Sequence, residues 1–230
     1  MLQVELAKAK LRRSMLVTKE RAILCFGDSN TWGYTPTTGE RLLRAERWPG
    51  ILQQALGADC NVIEEGLNGR TTSFDEPFRE GRNARKMLLT VLDSHAPLDL
   101  LIIMLGTNDL KHHLNVSAHE SARGLSSLLQ IASNTGGNFN ENLPKILVVA
   151  PPRFGNLSEL MTRHFEGSVA RSAELPMVYK DACVPWGCSF VDCNPVVSVG
   201  EDGIHLNQQG HRQLAMALEP IVRSLIGDPS

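Results

Sequence analysis

The chain has 230 residues, 42% of them hydrophobic and 21% charged, which is enough length and apolar content to bury a core without disulfide staples and excludes a disordered or fibrous class. Lys and Arg number 23 against 25 Asp and Glu, a net charge of −2, and no run of five like charges offers a face for phosphates, so nucleic acid is not an expected partner. The longest apolar run, Leu100 to Leu105, is far short of the roughly 18 residues of a membrane span, so no membrane partner is expected either.

Residues 1 to 20 contain no Gly or Pro, and Leu2, Leu6, Ala9 and Leu16 recur near helical spacing, which predicts an N-terminal helical extension ahead of a domain over 21 to 230. Charge alternates with hydrophobe there instead of forming a signal-peptide core, so the expected location is the cytoplasm. Five cysteines, Cys25, Cys60, Cys183, Cys188 and Cys193, are unevenly spaced. They read as reduced, buried residues; neither the pair nor the second pair of a zinc site is present, so no metal and no cofactor is expected.

From Arg21 onward short apolar runs alternate with helical patterns. Strands are predicted at Ala22 to Phe26, Val62 to Ile63, Leu98 to Leu105, Ile146 to Ala150 and Ser189 to Val191. Helices are predicted at Pro49 to Leu56, Ala84 to Ser94, Ser117 to Ser133, Ser158 to Ala182 and Gln208 to Leu225, with irregular connectors at Asn134 to Lys145 and Pro151 to Asn156. Strict alternation implies crossover connections and a five-stranded parallel sheet covered on both faces, an α/β fold of three layers. Ligands of such sheets sit outside the carboxyl ends of the strands, and chemistry is sought there.

The residues at those ends are Gly27-Asp28-Ser29-Asn30, Glu65-Gly66-Leu67-Asn68-Gly69-Arg70, Gly106-Thr107-Asn108-Asp109 and Asp202-Gly203-Ile204-His205. Ser29, between a strand and a helix start, is either a helix cap or a nucleophile aided by free N–H groups. It lacks the second glycine of a Gly-x-Ser-x-Gly elbow, since Thr31 stands there. A serine nucleophile needs a base and an orienter, and among seven histidines His205 stands out because Asp202 precedes it by three residues; the other six read as surface or packing residues. Asn108 and either Gly66 or Gly69 can supply oxyanion donors with the N–H of Ser29, although each alone is also an ordinary turn residue.

Together, Gly-Asp-Ser at 27 to 29, Gly69, Gly-Thr-Asn-Asp at 106 to 109 and Asp-Gly-Ile-His at 202 to 205 resemble the four blocks of the SGNH (GDSL-type) hydrolases over about Ala22 to Leu225. CFGDSNTWGY, RWPGILQQALG, VIEEGLNGRTT, PLDLLIIMLGTND and KILVVAPP are similar to the bacterial arylesterase and acyltransferase (perhydrolase) branch. The resemblance implies a flavodoxin-like SGNH hydrolase fold and a cofactor-free serine esterase that hydrolyses short acyl esters of small aryl or alkyl alcohols, with acyl transfer as a further activity. It also implies a homo-oligomer with partly shared sites. Carried over by position, Ser29 is the nucleophile, His205 the base, Asp202 its orienter, and Ser29, Gly69 and Asn108 the oxyanion hole; the Gly-Arg-Thr spacing favours Gly69 over Gly66. Asn30 departs from the leucine of many members.

Trp32, Tyr34 and Trp48 follow the serine in a chain with twelve aromatics and are candidates for an apolar wall, with core packing as the alternative, the favoured one for Trp48. Arg70 either touches substrate or anchors its loop, with the anchor favoured, and Phe154, Met161 and Phe165 are candidates for a lid or a subunit contact that narrows the pocket. Trp32, Arg70 and Phe154 complete the expected substrate-binding set. The competing class is a non-catalytic acyl- or carbohydrate-binding module on the same fold, against which the four blocks together argue.

Overall fold

The computed structural model describes residues 20–134 and 143–227. The N-terminal helix expected over 1 to 20 and most of the 134 to 145 connector therefore lie outside the described residues.

Five strands, β1 (Arg21–Gly27), β2 (Cys60–Gly66), β3 (Leu100–Met104), β4 (Lys145–Val149) and β5 (Ser189–Val191), form one parallel sheet in the order β2-β1-β3-β4-β5. The helices are α1 (Ser29–Trp32), α2 (Trp48–Leu56), α3 (Leu88–His95), α4 (Ala118–Asn134), α5 (Glu159–His164), α6 (Ser168–Cys183) and α7 (Gln208–Ile226).

The period-2 geometry of the strands divides their apolar residues between two cores. Leu24 and Phe26 of β1, Leu101 and Ile103 of β3 and Ile146 and Val148 of β4 pack under α3, α4 and α6. Their neighbours Ile23, Cys25, Leu100, Ile102, Leu147 and Val149 pack under α2 and α7. Both faces are thus dry, which is why these strands are continuous apolar runs rather than alternating ones. Burying each such side chain contributes on the order of 1.5–3 kcal/mol.

Three boundaries differ from the sequence expectation. β2 runs from Cys60 to Gly66, adding Cys60, Asn61, Glu64, Glu65 and Gly66 to the expected Val62–Ile63; these five are polar or small, and the strand tolerates them because it is an edge strand whose Glu64 is taken up by Arg44 and Arg47. The single helix expected over Ser158 to Ala182 is two, α5 and α6, broken at Gly167, whose φ of 69° lies in the left-handed region. The stretch expected to be helical from Ala84 opens with a 3₁₀ turn, Ala84–Lys86, before α3.

β1 pairs with β2 on one side and β3 on the other, so chain direction across the sheet reverses there. The carboxyl ends of β1 and β3 flank the crevice that such a switch point creates. Among the described residues no helix is long and apolar enough to cross a membrane.

Candidate active site

β1 ends at Gly27, where no larger residue fits: a Cβ there would lie 2.0 Å from Thr31 Oγ1 and 2.8 Å from the Met104 carbonyl oxygen. The chain then turns at once into α1, with Asp28 as its cap accepting the Asn30 N–H at 2.9 Å. Ser29 is the first residue of that helix, so its N–H has no helical acceptor. The helix is four residues long and ends at Gly33 in the left-handed conformation, which leaves the Ser29 hydroxyl at the mouth of the crevice.

His205 arrives from the loop ahead of α7, 176 residues away in sequence, and its Nε2 lies 2.9 Å from Ser29 Oγ. Its Nδ1 faces Asp202 Oδ2 at 2.5 Å, while Asp202 Oδ1 accepts the N–H groups of Ile204 and His205, each at 3.0 Å. Burial works to raise the Asp202 pKa, but the His205 ring and these two N–H donors outweigh it and hold the carboxyl below its ordinary value. The imidazole is therefore fixed with Nδ1 toward a carboxylate and Nε2 toward the serine, and the Tyr34 ring packs on it at a centroid distance of 4.5 Å.

Asn108 sits in the 3₁₀ turn Thr107–Leu110 just after β3, its Nδ2 donating to the Arg70 carbonyl at 3.1 Å. Asp28 and Asp109 lie beneath it. Asp109 is fully buried and accepts from Thr72 N at 2.8 Å, Thr72 Oγ1 at 2.6 Å and Ser121 Oγ at 2.6 Å. Burial pushes its pKa up to about 6, and pushes that of Asp28 up as well. Gly69 has a φ of 83°, and its N–H has no partner among the described residues. Gly66 is packed against α1, where a Cβ would lie 2.3 Å from Trp32 N.

A cavity of about 290 Å³ opens above the serine, and Ser29, Gly69, Asn108 and His205 all line it. Tyr34, Met161, Phe165 and Ile204 add apolar wall. Gly66 and the expected substrate contacts Trp32, Arg70 and Phe154 are not in that lining. The Trp32 ring is covered by the Arg41 guanidinium, 5.2 Å from its centroid. Arg70 is 2% exposed; it donates from Nη1 to the carbonyls of Gly27 and Glu65 and lies 4.1 Å over the Phe26 ring, so it ties β1 to β2 as a loop anchor. Phe154 is buried behind the wall, edge-on to Phe165 at 5.1 Å. Trp48 is core, its backbone N–H donating to His211 Nδ1.

Arg79, Lys111 and His164 reach the cavity without having been singled out as lining residues by the sequence. Only Lys111 carries a signal, two residues past the end of the third block. Among the described residues no group of three or more His, Cys, Asp or Glu is arranged to hold a metal ion.

The family model described as GDSL-like Lipase/Acylhydrolase matches residues 25–213, from β1 into α7. The chain belongs to this family. This GDSL-like acylhydrolase is similar to the M. smegmatis aryl esterase, with 41% identity and a TM-score of 0.86 over 89% of this chain and 99% of that one. It is also similar to a carbohydrate acetylesterase family member from Sinorhizobium meliloti, with 39% identity and a TM-score of 0.86 over 90% of this chain and 99% of that one. A lipolytic G-D-S-L family member from Veillonella parvula, 17% identical with a TM-score of 0.63 over 87% of this chain and 97% of that one, shares the fold alone. A comparison with curated proteins returned no match. The GDSL-like acylhydrolase is a carboxylic ester hydrolase on the SGNH-type α/β fold, and the binding-module alternative is set aside.

Proposed function

We propose that the enzyme hydrolyses short-chain acyl esters of aryl or alkyl alcohols through an acyl-enzyme on Ser29. The observation that carries this reading is the unbroken chain Ser29 Oγ, His205 Nε2, His205 Nδ1, Asp202 Oδ2, which ends in a cavity of a size for a small acyl group. His205 takes the Ser29 proton through Nε2 as Oγ attacks the ester carbonyl, and Asp202 stabilises the imidazolium that forms. The negative charge on the tetrahedral oxygen meets the N–H groups of Ser29 and Gly69 and the Asn108 amide. Each such donor contributes on the order of 2.7–4 kcal/mol in the transition state. Collapse expels the alcohol, which leaves with the proton from His205. Water, deprotonated by the same nitrogen, then releases the acid and restores the serine.

Names of the two similar structures, an aryl esterase and a carbohydrate acetylesterase family member, support a small acyl group with a variable alcohol. The apolar wall of Tyr34, Met161, Phe165 and Ile204 favours bound alcohol over water at the second step, which supports acyl transfer and perhydrolysis as side activities. The similarity to the arylesterase branch supports assembly into a homo-oligomer, and the five cysteines, all free thiols, support a reducing, cytoplasmic location.

The test is labelling with a fluorophosphonate followed by peptide mapping. Modification of Ser29 that disappears in Ser29→Ala, together with loss of 4-nitrophenyl acetate turnover at unchanged thermal stability, is the expected result. Full turnover in Ser29→Ala overturns the mechanism.

A further inference from the structure

The wall of the catalytic cavity has a one-sided charge. Its lining includes Arg79, Lys111 and His164 beside His205, and no Asp or Glu. These groups converge from three elements distant in sequence: the loop after β2, the loop after β3 and α5. The carboxylates around it are already engaged: Asp202 with His205, Asp28 as the cap of α1, and Glu76 with Lys111 and His113.

The two permanent cations differ in how they are held. Lys111 Nζ is bonded at 2.6 Å to Glu76 Oε2, whose other oxygen meets His113 Nε2 at 2.9 Å, so Lys111 is fixed and largely neutralised. Arg79 has no such partner: no carboxylate of the described residues lies within 4.0 Å of its guanidinium, although Asp75, Glu76 and Glu80 share a neighbouring cavity with it. The guanidinium lies over Gly69, with Nη1 3.1 Å from where a Cβ on that glycine would stand. A free, planar, five-donor cation is thereby held beside the oxyanion position.

We propose that Arg79 gives this esterase a preference for negatively charged esters, those carrying a carboxylate or similar anion on either the acyl or the alcohol part within reach of the guanidinium. This rests on the reading of the cavity as the ester site. An anion there pairs with the Arg79 guanidinium, and a neutral ester of equal size gains no such partner. Because Arg79 is exposed, the gain is that of a solvent-screened pair, at most roughly fivefold in kcat/KM.

The experiment compares two matched pairs: 4-acetoxybenzoate against methyl 4-acetoxybenzoate, with the charge on the alcohol, and 4-nitrophenyl hydrogen succinate against 4-nitrophenyl butyrate, with the charge on the acyl group. The expected result is a ratio of kcat/KM, anionic over neutral, of about 1.5 to five in at least one pair. It should collapse toward one in Arg79→Gln, survive in Arg79→Lys, and shrink in about 1 M NaCl, where the screening length is near 3 Å. A ratio at or below one in both pairs, or a ratio that Arg79→Gln leaves intact, overturns the proposal. If none of the four esters is turned over, the ester-site reading itself fails. Calorimetric binding of 4-hydroxybenzoate against its methyl ester then decides the anion site separately: tighter anion binding lost in Arg79→Gln upholds it, and equal binding overturns it.

Discussion

The side-chain oxygen of Asn30 accepts the backbone N–H of Leu206 at 2.8 Å, across 176 residues of sequence. The same amide turns its nitrogen to the Ile204 carbonyl at 3.5 Å, a weak contact. The residue next to the nucleophile therefore holds the backbone on both sides of His205. Asn30 is 1% exposed, so water cannot replace it.

Asn30→Leu should leave the Leu206 N–H buried and unpaired, which costs about 1–3 kcal/mol of stability. Because that N–H adjoins His205, kcat should fall by roughly tenfold or more with KM little changed, a small misplacement of a catalytic group having a large effect. Steady-state kinetics with thermal denaturation check both. Unchanged kcat in a folded Asn30→Leu enzyme would show that Asp202 alone positions the histidine.

Arg70→Met removes the donor that joins the carbonyls of Gly27 and Glu65 and leaves both without it, so a stability loss of about 2–4 kcal/mol is expected. Activity should fall as well, because the Arg70 carbonyl is the acceptor that orients Asn108. Arg70→Lys keeps an ammonium able to reach both carbonyls and should recover part of each loss. Urea unfolding and kcat/KM for the two variants are the measurements. A merely surface-exposed, substrate-touching arginine would instead raise KM and leave stability alone.

Two buried groups respond oppositely to acid. Asp109, with its pKa raised to about 6 by burial, folds more readily protonated: its contribution is complete below the unfolded value of about 3.9 and is lost as pH rises through 6, about 3 kcal/mol in all. His211 is buried with its Nδ1 accepting the Trp48 backbone N–H, and burial lowers its pKa to about 4. Its contribution is present above the unfolded value of about 6.5 and is lost as pH falls through 4, again about 3 kcal/mol.

Between pH 4 and 6.5 the two slopes offset each other. Asp109→Asn should expose the histidine, so that this variant loses stability steadily as pH falls from 6.5 to 4 while the parent changes less. Chemical denaturation across that range tests it. Parallel pH profiles for the two proteins would mean that Asp109 titrates in the fold as it does in the unfolded chain.

Much of the fold is local and was therefore readable. Ile23 to Phe26, Leu100 to Met104 and Ile146 to Val149 are apolar on consecutive residues because both faces of each strand are buried, and composition over five residues reports that directly. The edge strand was read short because Glu64 and Glu65 are polar for reasons that lie elsewhere, in Arg44, Arg47 and His95. The split between α5 and α6 is not legible in the sequence because a single glycine in a helical pattern can be tolerated; the left-handed turn at Gly167 decides it.

For the site, local sequence is enough to assign the backbone segments that carry Ser29, Gly69, Asn108, Asp202 and His205 to the strand ends, since each block is contiguous and follows a strand or precedes a helix. Only the tertiary structure decided which side chains reach the cavity. It turned Trp32 to Arg41, buried Arg70 between two strands and Phe154 behind Phe165, and brought in Arg79, Lys111 and His164 instead. It also buried Asp109 and His211 deeply enough to move their pKa values. The physical reason is the same in each case: strand identity follows from the solvation of neighbouring residues, whereas side-chain direction, desolvation and charge pairing depend on partners brought together only by packing.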